Sequence, residues 1–502
     1  MPHQFQNSRD DRDRVGLASA PPSPDEIARF AAIVGDRHAL TDDADRAAHD
    51  AEQRRAFPGR SALVLRPGSA DEVAGIVSLA AALRRPIVPQ GGNTGLVGGG
   101  IARGDASPLP PGSRETGSGL DIVVSLGRLD RIRDVDPAGN TMVVEAGCVL
   151  DRVRDAADEA DRLFPLALAS GASAQIGGLI SSNAGGTAVL AYGNTRDLVL
   201  GIEAVTPDGR LWNGLSRLRK NNTGYDLKHM FIGGEGTLGI VTAAVLRLHP
   251  KPKGRALAFV GATDPHAALR VFERLRATAG PQLTMFELMS RRTLDMVVRH
   301  TDHREPFATP HDWYALIEVS SGRSADEANA LAEEALGAAI EAGDAADAVL
   351  ATSLAQEGEF RGLREQCSAA QRREGASIKH DISVPVHAIP DFIERAEGVV
   401  QGVVPGARVV CFGHMGDGNL HYNVSQPADW DAEAFRARTG ALNDAVFELV
   451  IGMEGSISAE HGIGQQKRDR LPAVKPAIEM EMMRAVKRAL DPRGIMNPGK
   501  LL

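Results

Sequence analysis

The chain has 502 residues, a formal net charge of −9 and 43% hydrophobic residues, which fits a soluble globular protein with more than one domain. The acidic balance argues against nucleic acid as a partner, because proteins that bind nucleic acid typically carry excess basic residues. The three cysteines, Cys148, Cys367 and Cys411, have no CxxC spacing, and so sparse a set is typical of a reducing compartment.

The N-terminal region carries no recognisable targeting pattern. Residues 1–25 are polar and rich in proline and serine, and we predict a disordered tail there. The tail lacks the apolar core of a secretory signal, and its aspartates argue against a transit peptide. No apolar run in the chain reaches the roughly 18 residues that a membrane span needs. We therefore expect a cytoplasmic protein, with peripheral contact to a membrane left open.

The first half of the chain is predicted to alternate short helices and strands. After short helices within 26–60, Ser69 and Glu72 form a capping-box pattern, and apolar residues recur at helical spacing up to Leu83. A proline- and glycine-rich stretch at 103–119 is predicted to be a mobile surface loop. The other predicted elements are strands at 86–89, 122–126, 141–146, 199–205 and 239–248, and a helix at 151–162.

The second half begins after Pro250-Lys251-Pro252, which suits a hinge between domains at 26–250 and 251–502. Its strand patterns alternate with helix patterns, which predicts an α+β domain with an antiparallel sheet. The predicted strands lie near 256–261 and 313–319, and the helices near 264–277, 324–342, 431–451 and 475–490.

Three glycine clusters, at 86–100, 171–187 and 231–241, lie in the first half. The first has the spacing Gly92-x-x-Gly95-x-x-Gly98, which differs from the Rossmann fingerprint and weakens an NAD interpretation. Successive backbone N–H groups in such loops can still hold phosphates. One cluster alone would be explained as a structural turn, and close packing of strands could explain several glycines. Three clusters that mix small residues with hydroxyl and amide side chains favour a large polar cofactor.

A second pattern of chemistry-bearing residues lies far along the chain. His414 and His421 flank the turn-forming segment Gly-Asp-Gly-Asn, so a hairpin would bring the two imidazoles together. Along the second arm, His421 and Asn423 would face the same side. With Glu460 as a third ligand, the set suits Zn²⁺ or another divalent ion and leaves positions open for substrate.

His461 follows Glu460 directly, and neighbours in an extended segment face opposite ways. We therefore expect His461 to act as a general base rather than as a further metal ligand. For any single histidine, a hydrogen-bonded structural role is the simpler explanation. A metal-dependent hydrolase, with the glycine loops purely structural, also stays open on these residues alone.

Several motifs together resemble those of the vanillyl-alcohol oxidase/PCMH-type flavoproteins. They are Pro89–Gly99, Ile176–Thr187, Asn222–Lys228, Gly234–Val241 and the closing Asp491–Lys500. Within that group the chain most resembles the FAD-linked D-2-hydroxyglutarate and D-lactate dehydrogenases. The resemblance implies a PCMH-type FAD-binding domain, a C-terminal cap domain that binds substrate and metal, and last residues that return to the flavin site.

The resemblance also implies which residues hold FAD. Because Asn93 stands near the position where covalent members carry a histidine, non-covalent FAD is expected. The implied cofactor-binding residues are Pro89, Gly91, Gly92, Asn93, Thr94, Gly95, Gly171, Ser173, Gly177, Gly178, Asn183, Gly186, Thr187, Glu235, Gly236, Gly239, Ile240, Val241 and Asn497.

In the same family, the residues matching His414, His421 and Glu460 are metal ligands, and the residue matching His461 is the base. Substrate anchors are implied at Arg364, Ser368, Lys379 and Asn423. Ser368 stands where threonine is usual, and His380 stands where tyrosine is usual, which suggests an altered pocket wall.

In the 2-hydroxyglutarate branch the residues matching Arg364 and Lys379 bind substrate carboxylate. The resemblance therefore implies a dicarboxylic hydroxy acid such as D-2-hydroxyglutarate rather than lactate, while Ser368 and His380 leave the identity open. The alternatives are a D-lactate dehydrogenase and the flavin subunit of a glycolate oxidase. Electrons would pass to a non-NAD acceptor, such as an electron-transfer flavoprotein or a quinone. A homodimer is compatible with the sequence.

Overall fold

The computed structural model describes residues 16–52, 54–104 and 119–502. Residues 1–15 of the predicted tail and most of the predicted loop at 103–119 lie outside the described residues. The rest of the predicted tail packs on the fold, since the Ala18 amide donates to the Arg84 carbonyl at 3.1 Å. The first helix begins at Pro24, where Ser23 forms a capping box. Residues 16–25 are therefore ordered, unlike the prediction.

The strands of the described residues follow in chain order. They are β1 (Ala39–Leu40), β2 (Leu63–Leu65), β3 (Ile87–Gln90), β4 (Ile122–Ser125), β5 (Ile132–Asp136), β6 (Thr141–Glu145), β7 (Arg162–Leu163), β8 (Val199–Val205), β9 (Leu211–Gly214), β10 (Ile240–Arg247), β11 (His249–Pro250), β12 (Gly254–Ala262), β13 (Leu283–Ser290), β14 (Trp313–Ser321), β15 (Asp347–Leu350), β16 (Ser377–Ile378), β17 (Asp381–Ser383), β18 (Arg408–His414) and β19 (Asn419–Ser425).

The helices are given in the same way. They are α1 (Pro24–Val34), α2 (Asp43–Arg46), α3 (Ala70–Leu83), α4 (Leu150–Glu159), α5 (Ile176–Ser182), α6 (Val189–Tyr192), α7 (Thr195–Leu198), α8 (Lys228–Phe231), α9 (Pro265–Ala279), α10 (Arg291–His300), α11 (Ala325–Glu341), α12 (Leu354–Glu365), α13 (Cys367–Arg372), α14 (Ile389–Val403), α15 (Ala432–Arg436), α16 (Thr439–Gly452), α17 (Leu471–Val474) and α18 (Ala477–Leu490).

The first half of the chain forms two main sheets. One has the strand order β1-β2-β4-β3, with β2, β4 and β3 parallel, and the other is the antiparallel sheet β5-β6-β10-β8-β9. Helix α3 begins at a cap in which Ser69 accepts a hydrogen bond from the Glu72 amide. Its apolar residues recur at helical spacing and are buried, so this face of the helix packs on the first sheet. The predicted helix therefore packs against the same sheet from which the loop after β3 leaves.

The second half forms an eight-stranded antiparallel sheet, as the sequence predicts. Its order is β15-β12-β14-β13-β18-β19-β16, and β17 also pairs with β19. Side chains alternate along β14, so Ile317 packs into a core with α9, α11 and α14, while Tyr314 and Leu316 pack into a core with α10 and α12. The sheet is therefore buried on both faces.

The C-terminal segment after α18 returns to the first sheet. Met496 forms a parallel bridge with Ile87, and the Asn497 amide donates to the Ile87 carbonyl at 2.7 Å. This brings the end of the chain beside the glycine loop that follows β3. Among the residues that the structure describes, every helix is too short or too polar to cross a membrane.

Candidate active site

A cavity lined by glycine-rich loops lies in the N-terminal half of the chain. The loop after β3, the first turn of α5 and the turn before β10 form its walls. We call it the glycine-lined cavity.

Most of the residues predicted to bind the cofactor line this cavity. They are Pro89, Gly91, Gly92, Asn93, Thr94, Gly95, Gly177, Gly178, Glu235, Gly236, Gly239, Ile240 and Val241. Six others are not in its wall, namely Gly171, Ser173, Asn183, Gly186, Thr187 and Asn497. Two of these six support the wall from behind: Asn497 Nδ2 donates to the Gly99 and Glu235 carbonyls at 2.9 and 2.7 Å, and Ser173 contacts Gly92.

The glycines of the cavity are of two kinds. A Cβ atom at Gly92 would lie only 1.8 Å from the Ser173 carbonyl oxygen, so glycine there lets two backbone segments touch. A Cβ atom at Gly95 or Gly178 would meet no protein atom within 4 Å. Both explanations considered from the sequence therefore hold, each at different positions, and the open positions leave room for a ligand.

An unpaired amide oxygen in the wall fits a ligand with hydrogen-bond donors, such as FAD. Gln175 lines the cavity, and its Oε1 is buried without a hydrogen-bond partner among the described residues. Leaving such an oxygen unpaired costs roughly 1–3 kcal/mol, and the imide and ribityl hydroxyl groups of FAD can donate to it. A large polar group with donors therefore suits this wall, whereas an apolar ligand would leave the amide unpaired.

The hairpin predicted around Gly-Asp-Gly-Asn is formed by β18, a 3-10 turn at Met415–Asp417 and β19. It places the rings of His414 and His421 with their centroids 5.5 Å apart. Glu460 approaches from the segment after α16, and ligand atoms of the three residues all lie within 4.8 Å of one another. We call these three residues the His–Glu cluster. Two imidazoles and a carboxylate at this spacing fit a divalent ion such as Zn²⁺.

The buried carboxylate of Glu287, on β13, binds two of the predicted site residues. It accepts hydrogen bonds from His414 Nδ1 and, through Oε2 at 2.6 Å, from Arg364 Nε. Burial alone would raise the pKa of Glu287, but Arg364 and His414 outweigh burial and lower it to about 2. The contact leaves His414 Nε2 directed at Glu460 Oε1, 3.5 Å away. A carboxylate that accepts a hydrogen bond from one ring nitrogen of a histidine fixes the tautomer and leaves the other nitrogen to bind a metal ion.

The pKa values of all three residues of the His–Glu cluster are shifted from their usual values. Burial lowers the pKa of His414, yet Glu287 raises it to about 9. Burial also raises the pKa of Glu460 to about 7, against the attraction of His414 and with the repulsion of Asp381. Burial lowers the pKa of His421, which keeps that imidazole neutral. A divalent cation would take the place of the proton on His414 and offset the buried charge of Glu460.

Asp381 of β17 organises the neighbouring segment. Its Oδ2 accepts hydrogen bonds from the backbone amides of Glu460 and His461 at 3.0 and 2.9 Å. Burial would raise the pKa of Asp381, but His461 and Lys467 lower it, so the carboxylate is ionised. His461 Nδ1 lies 3.4 Å from Oδ2, and burial lowers the pKa of His461 despite Asp381. The imidazole is therefore neutral near pH 7 and able to accept a proton.

His461 lies where the two sites meet. It lines the glycine-lined cavity, and its ring stacks on that of His421 with centroids 6.2 Å apart and planes inclined by 17°. A Cβ atom at Gly185 would lie 2.8 Å from Glu460 Oε1, so the loop that carries Gly186 and Thr187 reaches the His–Glu cluster rather than the cavity. The candidate cofactor and metal sites are therefore adjacent.

The predicted substrate anchors surround the His–Glu cluster in part. Arg364 lies over the Phe412 ring, 4.9 Å from its centroid. Asn423 is buried, and its Nδ2 donates to Gln371 Oε1 at 3.0 Å. Ser368 is exposed on α13, one turn beyond Arg364. The structure thus fixes Arg364 and Asn423 by side-chain contacts and leaves Ser368 unconstrained.

Lys379 precedes β17 and has no hydrogen bond or ion pair with the described residues. Burial, together with the cations Arg54 and Arg372, lowers its pKa to about 8. His380 points to the opposite side: its Nδ1 bonds the Tyr422 carbonyl at 2.9 Å and its ring packs on Phe447. It belongs to the core beneath the strand, so the altered pocket wall expected from His380 is wrong. Strand alternation explains the difference.

Three supporting residues were missed by the sequence reasoning, namely Glu287, Asp381 and Gln371. Each is a buried polar group that orients a predicted site residue. For Glu287 a signal existed, since it is the one charged residue in the mostly apolar stretch Leu283–Met289, although no strand was predicted there. Gln371 lies among ordinary helix residues, and its neighbourhood shows no such signal.

The fold matches those of known flavoproteins. The chain superposes on p-cresol methylhydroxylase with substrate bound with a TM-score of 0.71 at 16% identity, covering 95% of this chain and 96% of that one. Alkyldihydroxyacetonephosphate synthase gives a TM-score of 0.70 at 16% identity, covering 96% of this chain and 86% of that one. At this identity the likeness concerns the fold alone, which is the PCMH-type α+β architecture.

Sequence comparisons define the family. Residues 61–214 match the family described as "FAD binding domain", and residues 251–501 match "FAD linked oxidases, C-terminal domain". The D-2-hydroxyglutarate dehydrogenase of Xanthomonas citri pv. viticola is 37% identical, covering 89% of this chain and 90% of that protein. The mitochondrial D-2-hydroxyglutarate dehydrogenase of Arabidopsis thaliana is 34% identical, covering 95% of this chain and 81% of that protein. The chain therefore belongs to the FAD-linked oxidases and, within them, to the FAD-dependent hydroxy-acid dehydrogenases.

Proposed function

We propose that this protein oxidises D-2-hydroxyglutarate to the 2-oxo acid, with FAD and a divalent metal ion, and passes the electrons to an acceptor other than NAD. The observation that carries the proposal is the position of His461. It lines the glycine-lined cavity, while the preceding residue, Glu460, belongs to the His–Glu cluster. A neutral base thus stands between a cofactor site and a metal site. The names of the relatives support the choice of substrate.

The chain would hold both groups with residues already described. FAD would lie against the open glycines Gly95 and Gly178 and the unpaired amide of Gln175. The binding would be non-covalent, because Asn93 offers an amide that already donates to the Ala51 carbonyl at 2.8 Å. When bound, FAD would accept a hydride from C2 of the substrate, and the metal ion would act as a Lewis acid on its hydroxyl group.

His461 would take the hydroxyl proton. With Nδ1 beside the ionised Asp381, its own proton is favoured on Nδ1, and Nε2 is left to accept another. Loss of the hydroxyl proton to Nε2 and of a hydride from C2 converts the alcohol into the 2-oxo acid, so protons and electrons balance. Asp381 would stabilise the imidazolium that results.

Two cationic regions would bind the two carboxylates. Arg364, whose Nε is held by Glu287, would bind the carboxylate beside the reacting carbon through the remaining N–H groups of its guanidinium. Lys379, with Arg54 and Arg372 close enough to lower its pKa, forms a positive region that suits a second carboxylate. A monocarboxylate such as lactate would leave this region unpaired, which supports a dicarboxylic substrate. Ser368 and Asn423 stay candidate contacts.

The acceptor, the location and the assembly are predictions that rest on the sequence. An electron-transfer flavoprotein or a quinone is proposed as acceptor, because the first glycine loop lacks the Rossmann spacing. A cytoplasmic location, peripheral contact with a membrane and a homodimer are proposed on the same basis.

The test is anaerobic mixing of the purified holoenzyme with D-2-hydroxyglutarate while the visible flavin absorbance is followed. Rapid bleaching, with one equivalent of 2-oxo acid formed per flavin, is the expected result. D-lactate and L-2-hydroxyglutarate are the controls for the second carboxylate and for the configuration. A protein that bleaches with D-lactate but not with D-2-hydroxyglutarate would overturn the substrate, and a protein that bleaches with neither would overturn the proposed activity.

A further inference from the structure

Glu235 connects the glycine-lined cavity to the segment that carries His461. It lies in the turn before β10 and contributes to the cavity wall. Its Oε1 accepts a hydrogen bond from the Ile463 amide at 2.7 Å, and its Oε2 accepts one from the Gly464 amide at 2.7 Å. One side chain from the N-terminal half therefore holds the backbone two and three residues beyond His461.

The contact between this side chain and the turn is close. Gly462, directly after His461, has φ of +81°, and a Cβ atom there would lie 2.8 Å from Glu235 Oε1. The left-handed conformation and the lack of space both select glycine. The turn that follows His461 is therefore closed directly onto the carboxylate, so a displacement of either would move the other.

The hydrogen bonds also define the state of Glu235. Each carboxylate oxygen accepts one backbone N–H bond, an arrangement that favours the ionised form. Burial raises the pKa of Glu235, while the two amides and Lys467 oppose the increase. Both oxygens are thus engaged by the protein, which distinguishes Glu235 from the open glycines among the residues predicted to bind FAD.

Two further side chains bind to the cavity wall near Glu235, one from the segment after His461 and one from the C-terminal segment. Gln465 Nε2 donates to the Gly98 carbonyl at 2.9 Å. Asn497 Nδ2 donates to the Gly99 carbonyl and to the Glu235 carbonyl. Asn497 therefore holds the Glu235 carbonyl, and the Glu235 amide donates to the Ser181 carbonyl at 2.8 Å, so the backbone that carries the carboxylate is held in place.

We infer that Glu235 is a positioning residue, which sets the place of the His461 imidazole relative to the glycine-lined cavity rather than binding FAD through its carboxylate. The inference rests on the proposed function, in which His461 accepts the hydroxyl proton. Displacing a reacting group by about 1 Å can cost about 100-fold in rate. The contact of Glu235 with the turn is thus expected to act on the chemical step more than on binding.

Glu235→Gln keeps the size of the side chain but turns an amide NH₂ toward one of the two N–H donors. We expect the rate constant of flavin reduction by D-2-hydroxyglutarate to fall about 100-fold. KM, and the FAD dissociation constant from flavin fluorescence, should change less than about threefold, because the substrate anchors and the open glycines are untouched. Glu203→Gln is the matched control, a buried carboxylate held by Arg133 and Thr242, and its rate should stay within about twofold of wild type.

A double-mutant cycle with His461→Ala separates positioning from a structural role. If Glu235 acts through His461, Glu235→Gln should lower the reduction rate less than about threefold in the His461→Ala background. Equal losses in both backgrounds, or a large rise in the FAD dissociation constant, would overturn the inference. A His461→Ala protein that reduces its flavin at the wild-type rate would instead overturn the proposed base, so the two failures are distinguishable.

Gly462→Ala addresses the same turn should Glu235→Gln fail to yield folded protein. It disturbs the contact from the other side, since the added Cβ meets Glu235 Oε1. The same cycle applies, with a slower reduction rate in the wild-type background and little further loss in the His461→Ala background as the expected result. Additive losses in this cycle would again contradict a positioning role.

Discussion

His461 and Asp381 are joined twice. The His461 amide donates to Asp381 Oδ2 at 2.9 Å, and His461 Nδ1 lies 3.4 Å from the same oxygen. The first contact fixes the backbone, and the second favours one tautomer of the imidazole. A single carboxylate thus sets both the position of the proposed base and the nitrogen that is free to accept a proton.

Asp381→Asn should therefore slow flavin reduction by about 100-fold or more, since positioned acid–base groups contribute about 10²–10⁴ to rate. The amide could still accept the backbone hydrogen bonds but would not stabilise an imidazolium. The measurement is the single-turnover reduction rate. Asp344→Asn is the control, because that buried carboxylate pairs with Arg270 and Arg274 away from the site. Comparable losses in both variants would argue against the assigned role.

Removal of the metal ion should abolish turnover while FAD stays bound. The three residues of the His–Glu cluster offer ligand atoms for a cation, and none of them lines the glycine-lined cavity. We therefore expect FAD to bind without the metal ion. Dialysis against a chelator, followed by metal analysis, flavin absorbance and assay before and after adding Zn²⁺, checks this. His421→Ala should likewise contain less than half of the wild-type metal content, and His387→Ala should contain the wild-type amount. Full activity in metal-free protein would contradict the metal role.

Lys379→Ala should separate the two substrate classes. Removing the cation leaves the second carboxylate of D-2-hydroxyglutarate unpaired, and truncation of one partner of a buried charge pair costs about 2–5 kcal/mol. We expect kcat/KM for D-2-hydroxyglutarate to fall about 30-fold or more and that for D-lactate to change less than about threefold. Equal losses on both substrates would show that Lys379 does not distinguish them.

The pH dependence should carry the signature of the same lysine. The pKa of Lys379 is lowered to about 8 by burial and by Arg54 and Arg372, so its positive charge is present below pH 8 and lost above it. Since kcat/KM reports groups of the free enzyme, its value for D-2-hydroxyglutarate should decline above pH about 8. The ratio to D-lactate should decline with it, and Lys379→Arg should keep the ratio constant to higher pH.

Secondary-structure elements can be predicted from the sequence where their pattern lies within neighbouring residues. The same holds for those site residues that belong to short motifs. The α3 helix, with its Ser69 cap, and the β18–β19 hairpin follow from neighbouring residues and are present. Contacts between distant segments have no local pattern, so the Glu287–His414 and Glu235–Gly464 pairs, separated by more than a hundred residues, could not be foreseen. For the same reason the contacts of Asn497 Nδ2 with the Gly99 and Glu235 carbonyls have no signal in the sequence, and its proposed contact with FAD stays a prediction.

Adjacent glycines on α5 give a last test of the cavity. A Cβ at Gly177 would lie 2.7 Å from the Ala146 Cβ, whereas a Cβ at Gly178 would meet no protein atom within 4 Å. Gly177→Ala should therefore destabilise the protein without FAD by about 1–3 kcal/mol, as overpacking does. Gly178→Ala should leave that stability unchanged or raise it by up to about 1 kcal/mol, because alanine favours a helix.

For FAD binding the order should be reversed, with the larger effect in Gly178→Ala. The methyl group of Gly178→Ala would occupy space in the wall of the glycine-lined cavity, so the FAD dissociation constant should rise about tenfold or more. Thermal unfolding of the FAD-free proteins and titration with FAD measure the two effects separately. Wild-type FAD affinity in Gly178→Ala would show that FAD does not approach α5, because protein packing at this position imposes no other constraint on the side chain.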